Sequence, residues 1–308
     1  MTSETTAMTT RATAAAAGTW VLGDRTVNRL GFGAMRLPQS GEALIGDAVP
    51  RDRERAVDVL RRAVDLGVNH IDTAAFYFSP LRSANELISR ALAPYPEDLV
   101  LATKVGPGRD PSGEWIPHAR PEQLRGQVEE NLRQLGRDHL DVVNLRIVGS
   151  DSIAERFGAL AELRQAGLIR HLGLSNVQPH HLAEARAIAP VVCVQNMYGI
   201  GVRPEEEAFV RTCGELGIAY VPFYAIAGTG REGGAGAGGA EHPEVLAVAR
   251  AHGVSTARVR LAWTLGQGAH VLAIPGTGDP DHLADNVAAA ALRLSPEALG
   301  RLEAAHRG

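Results

Sequence analysis

Eight short apolar runs, separated by longer amphipathic stretches, recur along this chain of 308 residues and limit the folds that it can adopt. The runs lie at residues 30–35, 68–72, 99–105, 141–146, 169–175, 191–195, 218–223 and 270–275. Helical patterns lie at residues 51–67, 121–136, 152–167, 179–188, 204–217, 242–252, 255–266 and 280–291. Nearly continuous apolar runs are typical of parallel strands whose two faces are both buried. Eight strand–helix units in roughly 250 residues are what a TIM barrel requires, so the sequence predicts an α/β fold of the (β/α)8 TIM-barrel type.

The N-terminal residues lie outside this alternation. TWVLGDRTVNRL, beginning at Thr19, contains two extended runs around Gly23-Asp24 and predicts an N-terminal β-hairpin. The Thr- and Ala-rich residues 1–17 predict a disordered tail, and residues 18–308 a single barrel domain. A doubly wound open sheet is the alternative, but it places a Gly-rich loop and a helix directly after the first strand. Here GFGAM is followed by a long loop, which favours the barrel.

Composition and charge restrict the partners. The net charge of -4 and a pI near 6.3, without a basic run, argue against nucleic acid. No apolar run is long enough to cross a bilayer, and the N-terminus lacks the pattern of a signal peptide. The two cysteines, Cys193 and Cys213, are too few for a disulfide framework. We therefore expect a cytoplasmic protein that acts on a small molecule; no feature of the sequence indicates its oligomeric state.

Two further motifs have simple interpretations. The His180-His181 pair lacks other ligands at metal spacing, so no metal site is predicted. The segment GTGREGGAGAGGAE, residues 228–241, contains the letters of a dinucleotide-binding pattern, but no helix follows it at once. It predicts a flexible loop after the seventh strand.

Polar and aromatic residues collect where the predicted strands end. The active site of a TIM barrel lies at this C-terminal end of the strands. The second, third and fourth strands end at Asp72, Lys104 and Arg146. The later strand ends carry Ser175-Asn176, Gln195-Asn196, Phe223-Tyr224 and Pro275-Gly276. Burying charged groups there is costly unless they pair with one another.

Asp72, Tyr77 and Lys104 together predict a proton donor. Lys104 is the chain's only lysine; all the remaining residues among the 31 Lys and Arg are arginines. A phenol with a pKa near ~10 transfers protons poorly at neutral pH, and a neighbouring ammonium stabilises the phenolate that remains. A carboxylate beside the lysine keeps the ammonium charged and oriented. Each residue alone has a structural explanation: Asp72 could cap a turn, Tyr77 could pack in the core, and Lys104 could extend its ammonium to solvent. The three together favour general acid catalysis.

These residues lie in motifs that resemble those of the aldo-keto reductase family. The stretch DTAAFY (residues 72–77) resembles the family's Asp-Thr-Ala motif with its tyrosine, and TKV (103–105) its strand-three lysine. The resemblance covers the chain from the hairpin to near the C-terminus. It implies that Tyr77, Lys104, Asp72 and Arg146 are catalytic. It also implies a set of residues that bind the nicotinamide cofactor: Ser175, Asn176, Gln195, Phe223, Pro275, Gly276, Thr277, His282, Asp285 and Asn286.

The sequence departs from the family pattern at two places. Arg146 stands where the family usually has a histidine, and arginine donates hydrogen bonds but cannot readily accept a proton. The surrounding segments, LDVVNLR among them, are similar to a bacterial pyridoxal-reductase-like subgroup that carries arginine there. Gly276 and His282 replace the family's Lys and Arg for the 2′-phosphate. NADPH is the cofactor that the resemblance implies, with NADH as an alternative; Thr277 and the helix that opens near Pro280 could still bind phosphate.

The sequence therefore predicts an NAD(P)H-dependent enzyme that reduces an aldehyde or ketone to an alcohol, with pyridoxal as a candidate substrate. Three alternatives remain open. The substrate could be a keto sugar or a natural-product carbonyl. The protein could bind the cofactor without catalysis, which Arg146 motivates. The barrel could also carry an isomerase or lyase chemistry, which the Asp-Lys-Tyr set disfavours.

Overall fold

A computed structural model describes residues 12–40, 49–79, 81–109, 114–226 and 241–308. Within them lie fifteen β-strands. In chain order they are β1 (Thr19–Leu22), β2 (Arg25–Asn28), β3 (Phe32–Gly33), β4 (Gln39–Ser40), β5 (Val49–Pro50), β6 (His70–Asp72), β7 (Phe78–Ser79), β8 (Arg82–Ser83), β9 (Val100–Val105), β10 (Gly108–Arg109), β11 (Trp115–Ile116), β12 (Leu140–Arg146), β13 (Ile169–Ser175), β14 (Val191–Gln195) and β15 (Ala219–Tyr220).

The same residues form ten α-helices. They are α1 (Arg53–Asp65), α2 (Ala84–Leu92), α3 (Pro121–Leu135), α4 (Ala154–Gln165), α5 (Pro179–Ile188), α6 (Glu207–Glu215), α7 (Pro243–His252), α8 (Thr256–Gly266), α9 (Pro280–Ala288) and α10 (Pro296–Arg307). No helix among them combines the length and apolarity needed to cross a bilayer. Helices α2 and α10 were not predicted by the sequence patterns.

Seven strands form one parallel sheet in the order β15-β14-β13-β12-β9-β6-β3. The predicted eighth strand forms isolated parallel bridges: Ala273 with Leu30 beside β3, and Val271 with Tyr220 in β15. This run therefore joins the two edges of the sheet and closes the barrel, as the sequence predicted. The remaining strands form two-stranded antiparallel pairs, including the predicted hairpin β1-β2 with Leu22 opposite Arg25.

The hairpin covers the N-terminal end of the barrel. Leu22 and Val27 are buried in a cluster with Val100, Val142 and Leu272 from the barrel strands. Removing these apolar side chains from water favours the closed end, so the opening of the barrel is left at the C-terminal ends of the strands.

The prediction of a disordered tail over residues 1–17 is wrong for its last residues. Ala14–Ala17 forms a 3-10 helix, Ala14 is fully buried, and its N–H donates to the carbonyl oxygen of Leu66 (2.9 Å). The alanine methyl groups are small enough to pack against the barrel. Residues 1–11, and the predicted flexible loop over residues 228–241 except for its last residue, lie outside the described part of the chain.

Candidate active site

A pocket of about 230 Å³ opens at the C-terminal ends of the barrel strands. It collects residues that lie far apart in the sequence, because the parallel strands all end at this side of the barrel. Eight of the predicted site residues line it: Asp72, Tyr77, Lys104, Arg146, Gln195, Phe223, Pro275 and Gly276.

Asp72 and Lys104 form a buried ion pair at the bottom of this pocket. They end or nearly end the neighbouring strands β6 and β9, whose register pairs Asp72 with Ala102. The Lys104 ammonium donates to both carboxylate oxygens of Asp72, at 2.6 and 2.7 Å, and to the carbonyl oxygen of Thr73 at 3.0 Å. The side chains are 2% and 7% exposed, so the pair is shielded from solvent and its electrostatic interaction is strong.

Tyr77 lies over the same ammonium. Lys104 Nζ is 5.0 Å from the centroid of the Tyr77 ring, which is buried and lines the pocket. Burial by itself lowers the pKa of Lys104, but the Asp72 carboxylate and the Tyr77 hydroxyl both raise it, and the net shift is upward. The ammonium is therefore a permanent positive charge at neutral pH, placed where it stabilises a phenolate.

Gln195, at the end of β14, contacts the ion pair from the opposite side. Its Nε2 donates to Asp72 Oδ2 at 2.8 Å. Its Oε1 is buried and finds no hydrogen-bond partner in the described part of the chain. A buried acceptor without a donor costs free energy, so this oxygen is ready to accept a hydrogen bond from a ligand in the pocket.

Arg146 ends β12 and is half-buried in the pocket wall. Its Nη1 donates to Ser175 Oγ at 3.2 Å, on the neighbouring strand. Its Cζ lies 5.3 Å from the centroid of the Phe223 ring. Ser175, which is fully buried, therefore fixes the guanidinium from below while Phe223 supports it by a cation–π contact.

Two residues near the strand ends have left-handed backbone conformations. Asn176 has φ 58° and Tyr224 has φ 63°. Such angles are uncommon for residues other than glycine, and they cluster at functional sites. The Asn176 side chain donates from Nδ2 to the carbonyl oxygen of Ile147 at 2.9 Å. Asn176 follows Ser175, which bonds the pocket residue Arg146, and Tyr224 follows the pocket residue Phe223. Both turns therefore change the direction of the chain beside the pocket.

Ser175 and Asn176 do not line the pocket, and the remaining four predicted cofactor residues, on the segment 277–286, lie beyond it. Thr277 Oγ1 accepts from the Asp279 N–H at 3.0 Å, and the His282 side chain is exposed. Asp285 pairs with Arg258 and Ser255 at the start of α8, whereas Asn286 is buried on α9. The structure therefore places these residues on one neighbouring segment but not in the pocket.

The N-terminus of α9, which the sequence offered as a phosphate site, is already capped. The Asp279 carboxylate accepts the N–H groups of Asp281 and His282 at 2.8 and 3.2 Å. An anion at this helix end would have to compete with a carboxylate of the chain itself.

A buried polar network supports the ion pair from behind. Asn131 Oδ1, on α3, accepts from Thr103 Oγ1 (2.6 Å) and from Asn85 Nδ2 (3.0 Å). Asn85 Oδ1, on α2, accepts from Thr73 Oγ1 at 2.7 Å. All four side chains are fully buried. Because Thr73 and Thr103 directly adjoin Asp72 and Lys104, the network fixes the two strands that carry the pair.

The pocket contains residues that the sequence analysis missed. They are mainly apolar or aromatic, with one cation: Met35, Arg36, Phe76, Trp115 and Ile226. Tyr224, which the sequence places at the end of the seventh strand, also lines the pocket. Phe76 contacts Tyr77 and Trp115 edge to face, with centroids 5.2 and 5.5 Å apart. Arg36 follows the first strand and could have been found by examining that strand end as well. Trp115 lies in the loop after the third strand, and no local pattern marks it.

The polar and aromatic groups of the pocket suit a nicotinamide cofactor. The described ranges contain no cluster of three or more His, Cys, Asp or Glu residues that could hold a metal. The residues fit a nicotinamide: Gln195 Oε1 is a buried acceptor that receives no hydrogen bond from the described residues, and the Phe223 ring lines the same pocket. Arg36 and Arg146 add positive charge to the same pocket.

Comparisons with known proteins agree with this geometry. The sequence model of the Aldo/keto reductase family matches residues 29–307. The chain is 43% identical over 296 residues to pyridoxine 4-dehydrogenase of Escherichia coli (strain K12), covering 94% of this chain and 98% of that protein. It is 38% identical over 301 residues to an uncharacterized oxidoreductase of Schizosaccharomyces pombe, covering 97% of this chain and 93% of that protein.

Solved structures show the same relationship. The crystal structure of an aldo-keto reductase from Klebsiella pneumoniae in complex with NADPH superposes with a TM-score of 0.77 at 26% identity, over 94% of each chain. The family model covers most of the chain, so the protein belongs to the aldo/keto reductase family.

Proposed function

We propose that this protein uses NADPH to reduce an aldehyde to a primary alcohol, and that its substrate is pyridoxal, which gives pyridoxine. The observation that carries the reductase chemistry is the Lys104 ammonium, held by Asp72 and lying beneath the Tyr77 ring inside a pocket. Membership in the family and the NADPH complex of the Klebsiella structure support the choice of cofactor.

Tyr77 is the proposed proton donor. When bound, the reduced nicotinamide supplies a hydride to the carbonyl carbon. The Tyr77 O–H bond breaks as the carbonyl oxygen takes the proton and becomes the hydroxyl of the alcohol. The phenolate that is left is stabilised by the Lys104 ammonium, and a proton taken up from water restores the phenol. Asp72 and the Thr73 carbonyl keep the ammonium oriented during the cycle.

Arg146 is proposed to orient and polarise the carbonyl. Its guanidinium lines the pocket and is fixed by Ser175 and Phe223. A guanidinium donates hydrogen bonds and stays protonated at neutral pH. It can therefore stabilise negative charge that develops on the carbonyl oxygen, as a histidine donor would, without taking part in proton transfer.

The cofactor's nicotinamide is proposed to lie against Phe223, with its carboxamide held by Gln195, Ser175 and Asn176. Gln195 Oε1, which has no donor among the described residues, supports this assignment, because a carboxamide N–H could supply that donor. Ser175 Oγ accepts from Arg146 and Asn176 Nδ2 donates to the Ile147 carbonyl, so Asn176 Nδ2 would have to exchange this contact to bind the carboxamide.

The walls of the pocket favour a flat aromatic substrate. Phe76 and Trp115 meet edge to face at 90° and line the pocket together with Tyr224, in addition to Phe223, which is proposed to contact the nicotinamide. Such walls suit the pyridine ring of pyridoxal better than a keto sugar, whose hydroxyl groups would need hydrogen-bond partners. The 43% identity to the E. coli pyridoxine 4-dehydrogenase supports the same choice.

The experiment measures oxidation of NADPH and NADH with pyridoxal, aliphatic aldehydes, ketones and a keto sugar. We expect pyridoxal to give the highest kcat/KM, by about tenfold or more over the keto sugar, with pyridoxine as the product. A keto sugar preferred by the same factor would contradict the substrate assignment. Cofactor binding without turnover of any carbonyl would show a non-catalytic binding protein instead.

A further inference from the structure

Arginine side chains converge beside the loop that follows the closing run of the barrel. Arg36 lines the main pocket near Gly276. Arg51, just before α1, donates from Nε to the carbonyl oxygens of Arg36 (2.8 Å) and Gln39 (3.0 Å). Arg55, on the first turn of α1, pairs with Asp279 at 2.6 Å. The cluster therefore extends from the rim of the pocket along the 276–279 loop.

The loop is shaped around Arg51. A Cβ atom on Gly278 would lie 2.5 Å from Arg51 Nε and 2.6 Å from its Cζ. Gly278 does not have a left-handed φ, so the close contact with the guanidinium, and not the backbone conformation, is what a larger residue here would disturb: Arg51 would have to shift. The Nη1 and Nη2 atoms of Arg51 form no hydrogen bond within the described part of the chain. Arg51 is thus held by its Nε, and none of the described residues accepts from its two Nη nitrogens.

The electrostatics of the cluster favour an anion. Burial lowers the pKa of Arg51, the charges of Arg36 and Arg55 lower it further, and Asp279 raises it. Asp279 is shared, because its other carboxylate oxygen caps α9. The mutual repulsion of these guanidinium groups would be relieved by a bound anion with two negative charges.

We propose that Arg51 and Arg55 bind a phosphate group of the dinucleotide cofactor at this loop, in place of cations at positions 276 and 282. The proposal rests on the proposed function, since it assumes a nicotinamide dinucleotide in the adjoining pocket. Guanidinium groups bind phosphate by paired, charge-assisted hydrogen bonds. Two phosphates of the cofactor have this chemistry: the 2′-phosphate, which NADH lacks, and the pyrophosphate, which both cofactors carry.

The test is the equilibrium binding of NADPH, NADH, adenosine 2′,5′-bisphosphate and ADP, measured by calorimetry. The variants are Arg51→Met, Arg55→Gln and, as a matched control, Arg53→Met, which removes an exposed charge from the same turn of α1. We expect Arg51→Met to weaken binding by about 10- to 100-fold. Arg55→Gln keeps the loop contacts of Arg51 and should weaken binding by a smaller factor, while Arg53→Met should leave it within about twofold.

The pattern across the ligands identifies the phosphate. Weakening of NADPH and the 2′,5′-bisphosphate alone supports a 2′-phosphate site. Weakening of NADPH, NADH and ADP, with a smaller effect on the 2′,5′-bisphosphate, which has no pyrophosphate, supports a pyrophosphate site. The proposal is overturned if Arg51→Met and Arg55→Gln, both folded by circular dichroism, bind every ligand as the wild type does. If the wild type binds neither dinucleotide, the proposed function itself fails, which is a different result.

Discussion

Replacing Lys104 by methionine removes the ammonium but keeps a flexible, unbranched side chain of similar length. In the wild type, Asp72 accepts two hydrogen bonds from Lys104 and one from Gln195, and its side chain is 7% exposed. In Lys104→Met the carboxylate keeps only the Gln195 bond. Removing one partner of a buried ion pair lowers the free energy of unfolding by about 3–5 kcal/mol, because the remaining charge is left buried and uncompensated.

Urea unfolding at pH 7, followed by circular dichroism, measures this loss. We expect Lys104→Met to lower the free energy of unfolding by about 3–5 kcal/mol. Adding Asp72→Asn removes the stranded charge, so the double variant should be less destabilised than the sum of the single variants by about 1–3 kcal/mol. The matched control is Arg125→Met, which breaks an exposed Arg125–Glu129 pair and should cost about 1 kcal/mol or less. The reasoning is refuted if Lys104→Met costs no more than the control and the two site substitutions are additive.

Two further predictions concern buried groups outside the pocket, the Asn131 amide and the His70 imidazole. Asn131→Leu should lower the free energy of unfolding in urea by about 1–3 kcal/mol, because the buried Thr103 hydroxyl loses its acceptor. Asn85 Nδ2 keeps its bond to Gln134 but loses the one to Asn131, and the Gln127 carbonyl loses its side-chain donor. An unchanged midpoint would contradict the network. Burial lowers the pKa of His70 to about 4, from 6.5 in the unfolded chain, so the unfolded state binds more protons between these values. The stability of the wild type should therefore fall relative to His70→Leu by about 3 kcal/mol as the pH drops from 7 to 4, and parallel pH curves for the two proteins would contradict this.

The positions of the main site residues could be predicted because their signals are local. Each strand is a short apolar run, and the residue at its end is read directly from the sequence. The rule that these ends meet on one side of the barrel then brings Asp72, Lys104 and Arg146 together, as the structure shows. Helix α2 had a local signal too: Ser83 and Glu86 form a capping box, which the sequence also contains as Ser-x-x-Glu.

The contacts that tune the site could not be predicted because they join distant segments. Arg55 pairs with Asp279, which lies 224 positions away, and Asn131 joins the neighbours of Asp72 and Lys104 from another helix. The strand-eight segment has Gly276 and His282 at the two positions where the family resemblance implies cations. Only the folded chain brings Arg51 onto Gly278 and restores positive charge to this loop.

Single-turnover kinetics of Tyr77→Phe test most directly whether Tyr77 donates the proton. The hydroxyl is removed while the ring remains to pack on Phe76 and over Lys104. With NADPH prebound and pyridoxal added in a stopped-flow instrument, we expect the rate of cofactor oxidation to fall by about 10²- to 10⁴-fold, while the Kd for NADPH stays within about twofold of the wild type. A rate close to that of the wild type would contradict the assignment of Tyr77 as the proton donor held ready by Lys104 and Asp72.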